Sequence, residues 1–174
     1  MYRFFNLSNG INLYHYINIF ILHILNYSKM KPETEYKVGE FMNRDLVQVT
    51  PETPVKRCAE VMAAERVSSA LVTEKKRVLG IVTEKDLARK IVAKGLDAEE
   101  ILAKDIMTTD VVTVSPNTSL YDAMVLIDRK KIKHLPVVDK NAVVGIITAM
   151  EILRIQPSYM EILANPIKKE GGDY

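Results

Sequence analysis

Apolar and polar positions along this chain form one pattern, written twice. A short apolar run over 46–49 ends at Pro51 and predicts a brief strand closed by a turn. Val55, Cys58, Ala59 and Met62 then recur at i, i+3, i+4 and i+7, the buried stripe of an amphipathic helix. Thr53 stands before that helix as a predicted N-cap, with Pro54 in the first helical position. Two β-rich runs follow, 70–73 and 77–82, joined by a charged turn at 74–76. A second helix is predicted after Thr83, and Gly95 stands where a left-handed C-cap belongs. The later copy has Thr118 as cap, Leu120, Ala123, Met124 and Ile127 as stripe, and β-rich runs at 135–138 and 142–147.

The two copies align without a gap at an offset of 65 residues, which places Met42 over Met107 and Gly80 over Gly145. Between residues 41 and 87, twelve of 47 pairs are identical, and many of the rest exchange one aliphatic side chain for another. A repeat of this kind reads β-α-β-β-α and spans about 45 residues, too few to bury a stable core alone. The expected fold class is therefore α/β (α+β): two units packed sheet to sheet.

Charge changes the picture in one respect. The net +2 arises wholly in residues 1–30, which hold Arg3 and Lys29 and no carboxylate, so residues 31–174 balance to zero. That balance speaks against a nucleic-acid surface, although the run Arg129-Lys130-Lys131-Ile132-Lys133-His134 is locally basic. Residues 1–30 are rich in Asn, Ile, Tyr and Phe and lie outside the repeat. Their greasy stretch, 11–25, is broken by Asn12, His15, Asn18 and His23 and is too short to span a bilayer. It lacks the small-residue cleavage site of a signal peptide. The expectation is translated upstream sequence with a working start at Met30; the alternative is an interfacial helix. One cysteine, Cys58, excludes an intramolecular disulfide, falls on a predicted apolar face, and points to a core thiol in a reducing cytoplasm.

Tandem strand-helix-hairpin-helix units are joined by three sequence marks: V-x-V-[TS]-P at the front of each, L-P-V-V-D in the second hairpin, and G-I-[VI]-T-x-x-[DE] at each end. Together these resemble the CBS domain, over residues 38 to about 155. The expected organisation is a non-module segment 1–30, repeat one over 38–95, a linker over 96–103, repeat two over 104–157, and a short helix with a loose tail over 158–174. The resemblance implies a paired module with a pseudo-twofold axis that binds AMP, ADP, ATP or S-adenosylmethionine between its repeats and dimerises. No cofactor is required; an adenine nucleotide is the expected regulatory ligand.

Carried over from the family, one cleft is expected to hold Thr83, Asp86, Met107, Val112, Ile132, Lys133 and His134. The other is expected to hold Thr148, Glu151, Met42, Val47, Val67, Ser68 and Ser69. The first is favoured. Asp86 has the length the family uses for the ribose diol and shares a helical turn with Thr83, while Lys133 and His134 suit a phosphate. In the second, Glu151 carries an extra methylene and Ser68 and Ser69 replace charge. Thr83 and Thr148 are also good N-caps whatever they bind, and the two carboxylates also suit a helix dipole.

No catalytic constellation, phosphate loop or dinucleotide fingerprint is present, which argues against an enzyme. The expected function is thus an adenine-nucleotide sensor that signals to a separate target protein, as a homodimer. Alternatives are S-adenosylmethionine binding or a ligand-free dimerisation or nucleic-acid-binding module. The segment 158–163 is expected to be a short helix that could dock a partner.

Overall fold

The computed structural model describes residues 35–164. Expectations for residues 1–30 and for the tail beyond 164 fall outside the described residues. Strand β1 (Gln48–Val49) runs parallel to β2 (Ser69–Glu74), which forms an antiparallel hairpin with β3 (Arg77–Thr83). In the second repeat β4 (His134–Asp139) and β5 (Ala142–Thr148) form the matching hairpin. The counterpart of β1 is there reduced to one parallel bridge, Val114 to Val137. Both hairpins turn on two residues with positive φ, Lys75 and Lys76 at 49° and 66°, Lys140 and Asn141 at 46° and 66°. This is the backbone twist that two-residue hairpins require.

Helix α1 is Val38–Phe41 and α2 is Val55–Ala64. After β3 comes α3 (Glu84–Asp86), which runs on through a π turn (Leu87–Ile91) and a 3-10 turn (Val92–Lys94). Gly95 ends it at φ 64°, as its C-cap position predicts. Helix α4 is Ala103–Ile106, α5 is Leu120–Lys130, and α6 is Ala149–Ile155. A 3-10 turn, Pro157–Tyr159, leads into α7 (Met160–Ala164). Both predicted stripes face inward: Val55, Cys58 and Met62 are buried in one core and Leu120, Ala123, Met124 and Ile127 in the other. Ala59 is only partly covered.

The predicted caps lie one residue too early. Ser119 caps α5, its Oγ accepting from Asp122 N at 3.0 Å, and Pro54 holds the equivalent place before α2. Thr53 Oγ1 instead accepts from Thr50 N at 3.0 Å, and Thr118 Oγ1 from Ser115 N at 3.2 Å. The two threonines close the turns around Pro51 and Pro116, so their hydroxyls are spent before either helix begins.

Each repeat is completed by the start of the other. Val38 N and Gly39 N donate to Thr118 O and Pro116 O, both at 2.8 Å, and Leu120 N donates to Tyr36 O at 3.0 Å. The same bonds recur 65 residues on, where Ala103 N and Lys104 N donate to Thr53 O and Pro51 O, and Val55 N to Ile101 O. Beyond α1, Asn43 exchanges two backbone bonds with Ile146 on β5, and beyond α4, Thr108 exchanges two with Ile81 on β3. Val38 and Met42 accordingly lie in the second repeat's core, while Ala103 and Ile106 lie in the first's. The stretch read as a linker, 96–103, therefore supplies packing: Ile101 lies against the first core.

Close approach explains the paired glycines. A side chain on Gly80 would collide with Met107, and one on Gly145 with Met42. Just before each glycine the hairpin register slips by one residue, at Leu79 and at Val144, a bulge in both repeats. Strands β3 and β5 pack against each other, and Val143 N donates to Lys76 O at 2.9 Å between the hairpins. At the C-terminal end, Tyr159 and Ile162 are buried in the second core, and Tyr159 meets Tyr121 edge-on at 5.8 Å. The helix predicted there docks on its own chain.

Candidate functional site

The terminal motif of each repeat builds the same small device. Thr148 caps α6: Glu151 N donates to its Oγ1 at 3.3 Å, while Thr148 N and Oγ1 donate to Glu151 Oε2 at 2.7 and 2.9 Å. Thr83 caps α3 in the same way, with Thr83 N and Oγ1 donating to Asp86 Oδ2 at 3.0 and 2.6 Å. Both carboxylates thus spend one oxygen on a capping box, and what remains for a ligand is the other.

The second oxygens differ. Lys90, one turn on from Asp86, places its Nζ 2.8 Å from Asp86 Oδ1. The residue one turn beyond Glu151 is Ile155, and among the described residues nothing bonds Glu151 Oε1. Burial alone would push the Asp86 carboxyl up, but the bonds from Lys90 and Thr83 outweigh it and hold it below the usual carboxylate range.

A cavity of about 180 Å³ opens on the Glu151 side. One wall carries Ile146, Thr148 and Glu151 from the second repeat, and the opposite wall carries Val47, Val67, Ser68 and Ser69 from the first. Six of the seven residues expected in this cleft therefore line one space. Met42 does not; it is buried against Gly145. His134, expected in the other cleft, also lines this cavity, with Nε2 2.8 Å from Ser68 Oγ. Its position at the start of β4, paired with Thr148 on β5, puts it on this wall. Burial, and then Lys133, hold its imidazole below 6.5 against the upward pull of Glu151 and Glu84, so it is neutral at pH 7.

Of the other residues expected around Asp86, Met107 packs over Gly80, Val112 and Ile132 lie against the second core, and Lys133 is exposed. The cavity is thus in the cleft that side-chain length ranks second. Arg66, Asp45 and Asn43 also line it and are not singled out by the sequence reading. Arg66 follows α2 in the left-handed conformation, φ 55°. Its counterpart Lys131, φ 53°, has its Nζ 2.7 Å from Asp128 Oδ1, whereas Ala63 stands where Arg66 would need that carboxylate. Comparing residues 63 and 128 would have flagged the difference. Among the described residues no group of His, Cys, Asp and Glu could hold a metal, and no helix is long and apolar enough to cross a membrane.

The family model of the CBS domain matches this chain twice, over residues 38–93 and 103–158. The chain belongs to the CBS-domain family. Protein MK0525 of Methanopyrus kandleri is 34% identical over 134 residues, covering 76% of this chain and 68% of its own length. The CBS domain-containing protein YhcV of Bacillus subtilis is 32% identical over 110 residues, covering 63% of this chain and 78% of its own. Among solved structures, the CBS domain pair of protein MJ0100, crystallised with 5-methylthioadenosine and S-adenosyl-L-methionine, superposes with a TM-score of 0.65. It is 20% identical and covers 72% of this chain and 98% of its own, a likeness of fold. CBS pairs are regulatory ligand-binding modules, and the interleaved pseudo-twofold described above is the architecture of such a pair.

Proposed function

We propose that this CBS pair senses an adenosine-containing ligand, an adenine nucleotide first, in the cavity between Glu151 and the Val67–Ser69 wall, and signals occupancy to a separate protein. The observation that carries the reading is Glu151: its Oε2 is fixed by the capping box while, among the described residues, nothing bonds Oε1 in a cavity walled by both repeats. A ribose diol offers two donors to such an oxygen, and hydrogen bonds to a charged group contribute about 1.5–3 kcal/mol. Arg66, with no carboxylate partner among the described residues, suits a phosphate at the cavity margin. A ligand that bridges both walls favours one arrangement of the repeats, and a partner can read that difference only as far as the ligand's affinity for the two arrangements differs.

A second reading is S-adenosylmethionine. Asp45 lines the same cavity as Glu151, so two carboxylates face one guanidinium and a neutral imidazole, a balance that suits a cationic arm. The complex of protein MJ0100 shows that a CBS pair can take such a ligand. Calorimetric titration with AMP, ADP, ATP and S-adenosylmethionine tests both readings. Wild type binds one of them in the micromolar range, and Glu151→Ala weakens it by about tenfold or more, the equivalent of one charged hydrogen bond. Wild-type protein that binds none of the four below millimolar overturns the sensor reading.

A further inference from the structure

Lys90 sits between the two walls of the cleft that remains. Its Nζ holds Asp86 Oδ1 at 2.8 Å on one side and donates to Ile106 O at 2.5 Å on the other. Asp86 belongs to the terminal motif of the first repeat. Ile106 ends α4, directly before Met107, which packs over Gly80, and before Thr108, which is bridged to Ile81. One ammonium thus joins the helix that would read a ribose to the segment that would face it.

The pseudo-twofold supplies the comparison. The counterparts of Asp86, Lys90 and Ile106 O are Glu151, Ile155 and Phe41 O. An isoleucine has no donor, so that tie cannot form in the second cleft, where a cavity of about 180 Å³ lies. The local backbone differs in the same place. Lys90 lies in the π turn Leu87–Ile91, whereas α6 runs as a regular α-helix over Ala149–Ile155. A π turn inside a helix is a costly local departure, found most often where a side chain must be re-aimed for function. Lys131, the counterpart of Arg66, is committed too, paired to Asp128.

We propose that Lys90 is an intrachain latch that holds the Asp86 cleft shut, so that each chain takes one adenosine ligand, at Glu151. This rests on the sensor reading above. To enter the Asp86 cleft, neutral ribose hydroxyls would have to displace an ammonium from a carboxylate and also release the Ile106 carbonyl. At Glu151 the same hydroxyls meet an oxygen with nothing to displace.

Exchanging the two positions tests the latch. Binding stoichiometry is measured by calorimetry with AMP and S-adenosylmethionine as probes, on wild type, Lys90→Ile and Ile155→Lys, each checked for native circular dichroism. Wild type takes one equivalent, Lys90→Ile takes two, and Ile155→Lys, which creates the tie beside Glu151, loses at least tenfold in affinity. Two equivalents on wild type, one on folded Lys90→Ile, or unchanged affinity on Ile155→Lys each overturn the latch and leave the sensor reading standing. If neither these probes nor ADP or ATP bind wild type or Lys90→Ile, the sensor reading falls and the latch with it.

Discussion

Val38 tests the interleaving most directly, because sequence and structure assign it to different repeats. It lies at the front of the first repeat in sequence, yet it is 0% exposed within the second repeat's core, beside α5 and β5. Val38→Ala deletes two buried methyl groups. At 0.5–1.5 kcal/mol per buried methyl, including the unfilled space, the loss is about 2 kcal/mol. The backbone bonds of Val38 and Gly39 to Thr118 and Pro116 survive the substitution, so the loss is one of packing alone. Amide hydrogen exchange followed by mass spectrometry reads the effect by region. A loss of about 2 kcal/mol raises the opening constant roughly 30-fold. The increase should appear in peptides covering 120–127, 134–139 and 142–148. Ile106→Ala, the reciprocal deletion, should loosen 55–62 and 69–83 instead. If Val38→Ala loosens 55–62 and 69–74 while leaving the second repeat protected, the exchange of segments is wrong.

Two further outcomes follow from the local chemistry. Ser119→Ala removes the cap of α5 and should cost about 1 kcal/mol in urea denaturation, and more than Thr118→Ala, whose hydroxyl closes only an exposed turn. His134 titrates below 6.5 because burial and Lys133 disfavour its cation. The unfolded chain therefore takes up its proton first, so His134 adds stability above pH 6.5 that is lost as pH falls through the folded value. Imidazole resonances followed by NMR from pH 8 to 4 should show that low midpoint, and His134→Gln should flatten this part of the stability profile; a midpoint above 6.5 refutes it.

The repeat made most of the fold legible. Periods of two and of three to four residues carry their own geometry, so hairpins and stripes could be placed from residue types alone. Gly95 is legible as well, since few other residues fit a left-handed cap. What escaped was whatever depends on a partner distant in sequence. Nothing in Val38 or Ile106 says which core receives it, because both cores want the same aliphatic side chain. The threonine caps were misplaced because Thr53 and Thr118 can serve either a turn or a helix, and the prolines ahead of them favoured the turn. Side-chain length, together with Lys133 and His134 against Ser68 and Ser69, ranks the Asp86 cleft first, whereas in the structure the two carboxylates differ in what already bonds them. That distinction was present at Lys90 and Ile155, one helical turn beyond the motif.

The exchange of α1 and α4 also bears on how such a chain could arise. A lone copy of this unit has its opening segment aimed away from its own core and towards the same place on a second copy. Before any duplication, a single-repeat ancestor would have met that need by twofold pairing of separate chains. Fusion at residues 96–103 then joins in one molecule two surfaces that were already matched, and frees each half to drift. Asp86 with Lys90 on one side and Glu151 with Ile155 on the other are what that freedom looks like: one motif kept twice, its carboxylate tied by a lysine in one copy and not in the other.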